Sequence, residues 1–251
     1  MQLNNLIEKA KNYLFLAVAF IIIGTAFGAQ MMAQPPQTPP FDLLPTLLRG
    51  LSLTITLTFW GALLALAVAV LVGVARASQN MIIRTISGFY VEVFRGTSVL
   101  VQLYWIYFAL PLPPFNIRID EFEAGVLALG LNVGAYGAEV VRGAIKAIPR
   151  GQIEASIALN MSPALMMRRV ILPQAMVRIL PPFGNLLIEL LKATSLVSLI
   201  TLADITFRAR SLLTTQGRPM EIFLLLLVIY FLIAYPLTLG VRWLEKQRRW
   251  A

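Results

Sequence analysis

Runs of about twenty mostly apolar residues recur about six times along this chain, separated by charged or proline-rich breaks. Their approximate extents are 13–32, 46–75, 86–110, 124–145, 182–202 and 220–241. Each is long enough to cross a bilayer as a helix at about 1.5 Å per residue. The pattern therefore predicts an all-α integral membrane protein with about six transmembrane helices. An even number of crossings returns both termini to one side. The first run could also be read as a secretory signal, because Lys9 and Lys11 precede it and Ala26-Phe27-Gly28 resembles a cleavage site. Because the apolar run continues through Met31 and Met32 to the stretch 35–40, we expect a retained anchor and an external proline-rich linker over 1–42.

Composition supports the bilayer. Of the 251 residues 58% are hydrophobic and 13% charged, and the mean hydropathy is +0.77, well outside the soluble average. Charge supplies an orientation. The formal net charge is +9; placing both termini inside puts Arg76, Arg84, Arg142, Lys146, Arg150, Arg168, Arg169, Arg178 and the basic tail 246–251 on the cytoplasmic side. Arg49, Arg118, Arg208, Arg210 and Arg218 fall outside. That asymmetry is the positive-inside pattern and explains the basic excess better than a nucleic-acid partner. Cys and His are both absent, which removes disulfides, thiolate and imidazole metal sites, and the commonest nucleophile and general base.

The longest basic loop, about 146–178, encodes a shape. Pro149-Arg150-Gly151 is turn chemistry, and IEASIALN suits about two helical turns. Asn160 stands where a helix end favours a left-handed residue, and Ser162-Pro163 is an N-cap followed by a first-turn proline. The expected product is helix, tight corner, helix, the second running toward Ile171-Leu172-Pro173.

GQIEASIALNMSPALMMRRVILPQA, residues 151–175, resembles the EAA loop of ABC importer permeases. Glu154 and Ala155 match, Ser156 replaces the second alanine, Asn160 replaces the glycine, and Val170-Ile171-Leu172-Pro173 supplies the ending. Residues 90–111, 135–152 and 185–200 are similar to three further motifs of polar amino-acid importers: Phe94-Arg95-Gly96-Thr97 with Ser98 in place of proline, Ala138-Glu139 with Arg142-Gly143, and Lys192 with Thr194-Ser195-Leu196. The likeness covers about 43–245 and implies a type I permease fold, a five-helix core with the first span added. It implies that Glu154, Ala155, Ser156, Ile157 and Asn160 belong to a coupling helix seated on a separate ATPase. A short rigid helix joined to two spans can transmit a rigid-body displacement. Glu154 could bond partner donors or cap its own helix.

Ionisable groups inside spans are costly and face protein or water. Glu92/Arg95, Glu139/Arg142 and Glu189/Lys192 are each spaced i, i+3 and can pair locally. Glu189/Lys192 adjoins Thr194, Ser195 and Ser198, a polar stripe that could line a path. A zwitterionic substrate needs an acceptor for its ammonium, which Glu189 could supply. Its carboxylate needs donors, for which Lys192, Thr97, Ser98 and Gln102 are candidates, with Asn132, Glu139 and Ser195 behind them. Gly130, Gly134 and Gly137 are expected to permit close helix packing.

The resemblance implies a non-catalytic permease, in a bacterial inner membrane, that imports a polar amino acid or similar zwitterion. Its implied partners are ATP-binding cassette ATPase subunits, a second permease copy (identical or different), an extracytoplasmic solute-binding protein and membrane lipid, with no nucleic acid. None of the lysines follows a glycine, so the chain has no phosphate-cradling loop. ATP and Mg are expected in the partner, and this chain is expected to bind no cofactor or metal. The alternatives are an ion-coupled secondary transporter, which would show inverted repeats, and an intramembrane enzyme, which lacks its residues here.

Overall fold

The computed structural model describes residues 40–248, with side chains to 243, and Thr25. Apart from Thr25, the expected first span and nearly all of the linker thus lie outside the described residues, as does half of the basic tail.

Every regular element among the described residues is helical. A 3-10 turn at Pro40–Leu43 leads into α1 (Leu44–Arg49) and α2 (Leu51–Ala77). α3 (Met81–Gly96) starts where the Asn80 side chain accepts from the N–H groups of Ile82 and Ile83. α4 (Val99–Tyr104) continues as a π-helical turn, Trp105–Ala109. α5 (Glu121–Lys146) is capped by Asp120. Next come α6 (Arg150–Ala158), α7 (Pro163–Met166), a π turn at Met167–Ile171 and α8 (Leu172–Ala193). A 3-10 segment, Thr194–Ile200, α9 (Ile205–Gln216) and α10 (Pro219–Arg248) complete the chain.

Among the described residues four stretches are long and apolar enough to cross a membrane: Phe41–Ala77, Glu121–Lys146, Pro163–Ile200 and Pro219–Trp243. Two expected boundaries need correction. The run 86–110 is not one helix: Thr97 and Ser98 are extended, with ψ of 153° and 135°, and separate α3 from α4. Apolar composition had hidden the break. The helix expected to stop near Pro173 instead continues, so that 163–200 forms one crossing. The π turn shifts the hydrogen-bond register immediately before Pro173, where an N–H is missing. Pro181 and Pro182 also lie inside α8, as prolines can in membrane helices whose neighbours support the backbone.

The centre of the molecule is α5, 61% of whose apolar window is buried against 17% for that of α10. α2 lies closest to it, and glycines set the distance. A Cβ on Gly130 would lie 2.7 Å from Leu64, one on Gly134 2.8 Å from Val68, and one on Gly137 2.7 Å from Ala69. That is the expected role of these three residues. α8 packs on α5, and α10 packs on α8 through Ile188, Leu191 and Ala234.

Candidate coupling and translocation sites

The corner after α6 has the geometry its residues encode. Asn160 adopts φ 53°, in the left-handed region, and the Met161 N–H donates to the Ser156 carbonyl at 3.1 Å. The Ser162 hydroxyl accepts from the Leu165 N–H at 3.3 Å, and Pro163 opens α7. Of the coupling candidates, Glu154, Ala155, Ile157 and Asn160 are exposed, while Ser156 is buried and donates to the Gln152 carbonyl. Glu154 has no hydrogen bond or ion pair among the described residues, so it does not cap its own helix. Ile157 and Leu159 are 61% and 76% exposed, an apolar pair beside a free carboxylate. Gln174 and Arg178 of α8 reach back to Gln152 and to the Ala147 carbonyl, tying the corner to the long helix.

Three of the path candidates meet at the break between α3 and α4. Where α3 ends, its last carbonyls lose their helical donors, and side chains take over. The Gln102 amide donates to the Phe94 carbonyl at 2.9 Å and to the Thr97 hydroxyl at 2.7 Å. The Asn132 amide, from α5, donates to the same carbonyl at 3.0 Å and to Gln102 Oε1 at 3.1 Å. Ser98 is exposed, and its hydroxyl makes no hydrogen bond among the described residues. The Tyr90 hydroxyl donates to the Leu131 carbonyl at 2.7 Å and fixes α3 on α5.

The three intramembrane charge pairs turn out differently. Glu139 and Arg142 pair at 2.6 Å, and Arg76 of α2 takes the other carboxylate oxygen at 2.9 Å. Both oxygens of Glu139 are thus engaged, bracing α2 on α5. Glu92 and Arg95 do not pair; Arg95 lies over the Tyr136 ring, 5.2 Å from its centroid. Glu189 and Lys192 are both exposed and no described ion pair includes either, so the local pairing that their spacing permits is not made. Ser195 turns its hydroxyl to the Lys192 carbonyl at 2.9 Å.

Lys192 and Ser195 line a groove of about 840 Å³ between α8 and α10, together with Thr206, Tyr230, Thr238 and Arg242 among others. The α10 side chains were missed from sequence because they lie one per turn in an otherwise apolar run. Nearby, Asp204 is fully buried. It caps α9 by accepting from the Phe207 N–H at 2.8 Å, and the Tyr230 hydroxyl donates to it at 3.4 Å. Burial pushes its carboxyl up to about 6, the Phe207 N–H opposing. Its signal in sequence was an Asp immediately before a helix.

The helical bundle and its exposed corner fit a membrane transport component, and a family match decides the matter. Residues 66–250 match the binding-protein-dependent transport system inner membrane component. The chain belongs to that family. A probable amino-acid ABC transporter permease, y4tF of Sinorhizobium fredii, is 44% identical over 83% of this chain and 90% of its own length. The glutamine transport system permease GlnP of Escherichia coli is 37% identical over 82% of this chain and 94% of its own length. Among solved structures, an amino acid ABC transporter described with histidines superposes with a TM-score of 0.76 at 34% identity, covering 84% of this chain and 100% of that one. The chain is the permease subunit of an ATP-driven importer, a multi-pass inner-membrane protein. It works with an ATPase and a solute-binding protein, and ATP hydrolysis belongs to the ATPase. Nothing in these matches supports the ion-coupled alternative.

Proposed function

We propose that this permease carries a polar amino acid or similar zwitterion inward, with both termini cytoplasmic and two permease copies, identical or different, facing each other across the route. The observation that carries this reading is the concentration of polar groups at two places, the broken helix and the turn around Lys192. At the broken helix, Thr97, Ser98, Gln102 and Asn132 stand beside the start of α4, where backbone N–H groups are free to receive a carboxylate. α4 packs against the 3-10 segment that follows Lys192, which links the break to the helix carrying Lys192 and Glu189. Glu139 is reassigned in this reading to bracing, since both its oxygens are taken. The names of the relatives support the amino-acid class.

Coupling runs from the corner at Glu154. Beyond it 163–200 is one continuous crossing, roughly 57 Å of helix, which joins the ATPase-facing corner to Lys192 and Ser195. Glu154, Ala155, Ile157 and Asn160 meet the ATPase, and Ser156 holds the corner from within. ATP and Mg bind the ATPase, and no cofactor binds this chain. The region 43–245 acts as the transmembrane domain, with 1–42 an added anchor and linker.

Purification with associated proteins, followed by an amino-acid binding screen on the co-purifying receptor, tests the substrate class; a receptor that binds only sugars or metal ions sinks it. Glu189→Gln is expected to lower uptake roughly ten- to a hundredfold, the worth of a charge-assisted hydrogen bond. Because Glu189 and Lys192 do not pair, adding Lys192→Gln should not restore it. Near-wild-type uptake in the double variant would return Glu189 to a packing role.

A further inference from the structure

Resting on the amino-acid reading above, we propose that the groove between α8 and α10 is the inner half of the solute's route, where Arg242 is a second cationic station for the carboxylate after Lys192. The lining includes the cations Lys192 and Arg242 and the hydroxyl groups of Tyr230 and Tyr235, and it contains no carboxylate. Neither cation, nor the Tyr235 hydroxyl between them, has a hydrogen bond or ion pair among the described residues. Three free donors with no carboxylate among the described lining residues describe a site for an anionic group. Farther along α10 the lining is apolar, with Phe223, Leu227 and Phe231, and suits a side chain or a methylene stem.

The spacing fits a handover. α8 and α10 run antiparallel, and a Cβ on Gly184 would meet Val241 at 2.5 Å, which sets residue 184 level with the start of the Arg242 turn. Lys192 lies eight residues farther along α8, so the two cations are separated by roughly 12 Å along the helix axes. Tyr235 and Thr238 fall between them. A solute of amino-acid size released by one cation comes within reach of the next after a step of a few ångströms. Lipid is the poorer occupant, because an ammonium in the middle of a span that faces acyl chains is costly. A second permease copy lying flat on the groove would need a carboxylate for each cation.

The chain has no cysteine, so Thr238→Cys places a single thiol in the groove. The test labels that variant, assembled with its ATPase in phosphatidylcholine vesicles, with the sulfonate and trimethylammonium methanethiosulfonates, each rate divided by that of a free thiol. The expected result is reaction with both reagents and a roughly tenfold or greater preference for the sulfonate, the size that local potentials give. Arg242→Gln and Lys192→Gln should each carry the preference back toward unity, with Arg242→Lys retaining it. No reaction means a groove closed by lipid or by a second copy, and overturns the proposal. So does an equal rate for the two reagents, a preference that Arg242→Gln leaves untouched, or labelling abolished by adding phosphatidylglycerol. If Thr238→Cys fails to assemble, Tyr235→Cys reports on the same stretch. Uptake of labelled L-glutamine and other polar amino acids by the wild-type complex separates the two readings. A complex that accumulates none of them ends the substrate assignment, while the labelling still decides whether the groove selects anions.

Discussion

The corner at Asn160 and the break at Thr97 both interrupt helices, yet they are held in opposite ways. At the corner the bonds are short in sequence: Met161 to Ser156, Asn160 to Ile157, Leu165 to Ser162. Its side chains Glu154, Ile157 and Leu159 point their chemistry outward. At the break the decisive bonds come from another helix, with Asn132 lying 38 residues from the carbonyl of Phe94 that it satisfies. Its polar groups turn inward on one another. An element whose task is to push on a partner must keep its shape by itself. An interruption within a membrane instead needs neighbours, because stranded backbone groups there find no water.

The largest effect is expected where the corner meets its partner. Glu154→Lys should lower uptake roughly tenfold or more by weakening the ATPase contact, while changing the stability of the isolated permease by under about 0.5 kcal/mol. Pull-down of the ATPase and thermal unfolding in detergent measure the two halves. Unchanged association would make Glu154 an ordinary surface charge and erase the contrast with the break.

Asn132→Leu attacks the break. It leaves Gln102 Oε1 without its donor and the Phe94 carbonyl with the Gln102 amide alone, at about 1–3 kcal/mol for the group left without a partner. Thermal unfolding should register that loss, and an unshifted midpoint would show that the break is as self-supporting as the corner.

Asp204 extends the comparison to a third helix start, one buried rather than exposed. Its folded value of about 6 lies above the ordinary 3.8, so the folded state holds the proton more tightly. Its contribution is fully present below about pH 4 and is lost as pH rises through about 6, by up to roughly 3 kcal/mol. Asp204→Asn keeps an N-capping oxygen and should flatten that slope, raising stability near pH 7.5 relative to the parent. Unfolding midpoints taken from pH 4 to 8 check it; parallel curves would remove the proton from the account.

The smallest effect sharpens the corner. Asn160→Gly should be close to neutral and Asn160→Val should cost about 1–2 kcal/mol, the penalty of a β-branched residue in the left-handed region. If both variants behave alike in unfolding and uptake, the positive φ is incidental.

By itself the sequence determined four of the crossings, the helical corner and the glycine seam between α2 and α5, because apolar length, cap residues and missing side chains act locally or through simple contact. Asn160 and Ser162-Pro163 could be read as a corner since every bond that holds it lies within a few residues. Only the tertiary structure decided which charges pair. Spacing offered Glu92 to Arg95 and Glu189 to Lys192, but Arg95 lies over Tyr136 and Glu139 also draws in Arg76 from α2. Spacing along one helix says which groups can meet, whereas the partner taken depends on what the neighbouring helices bring. The same reason hid the break at Thr97, the continuity of α8 through three prolines, and the groove whose far wall is α10. Each depends on a neighbour that satisfies or abandons a polar group, and that neighbour is distant in the chain.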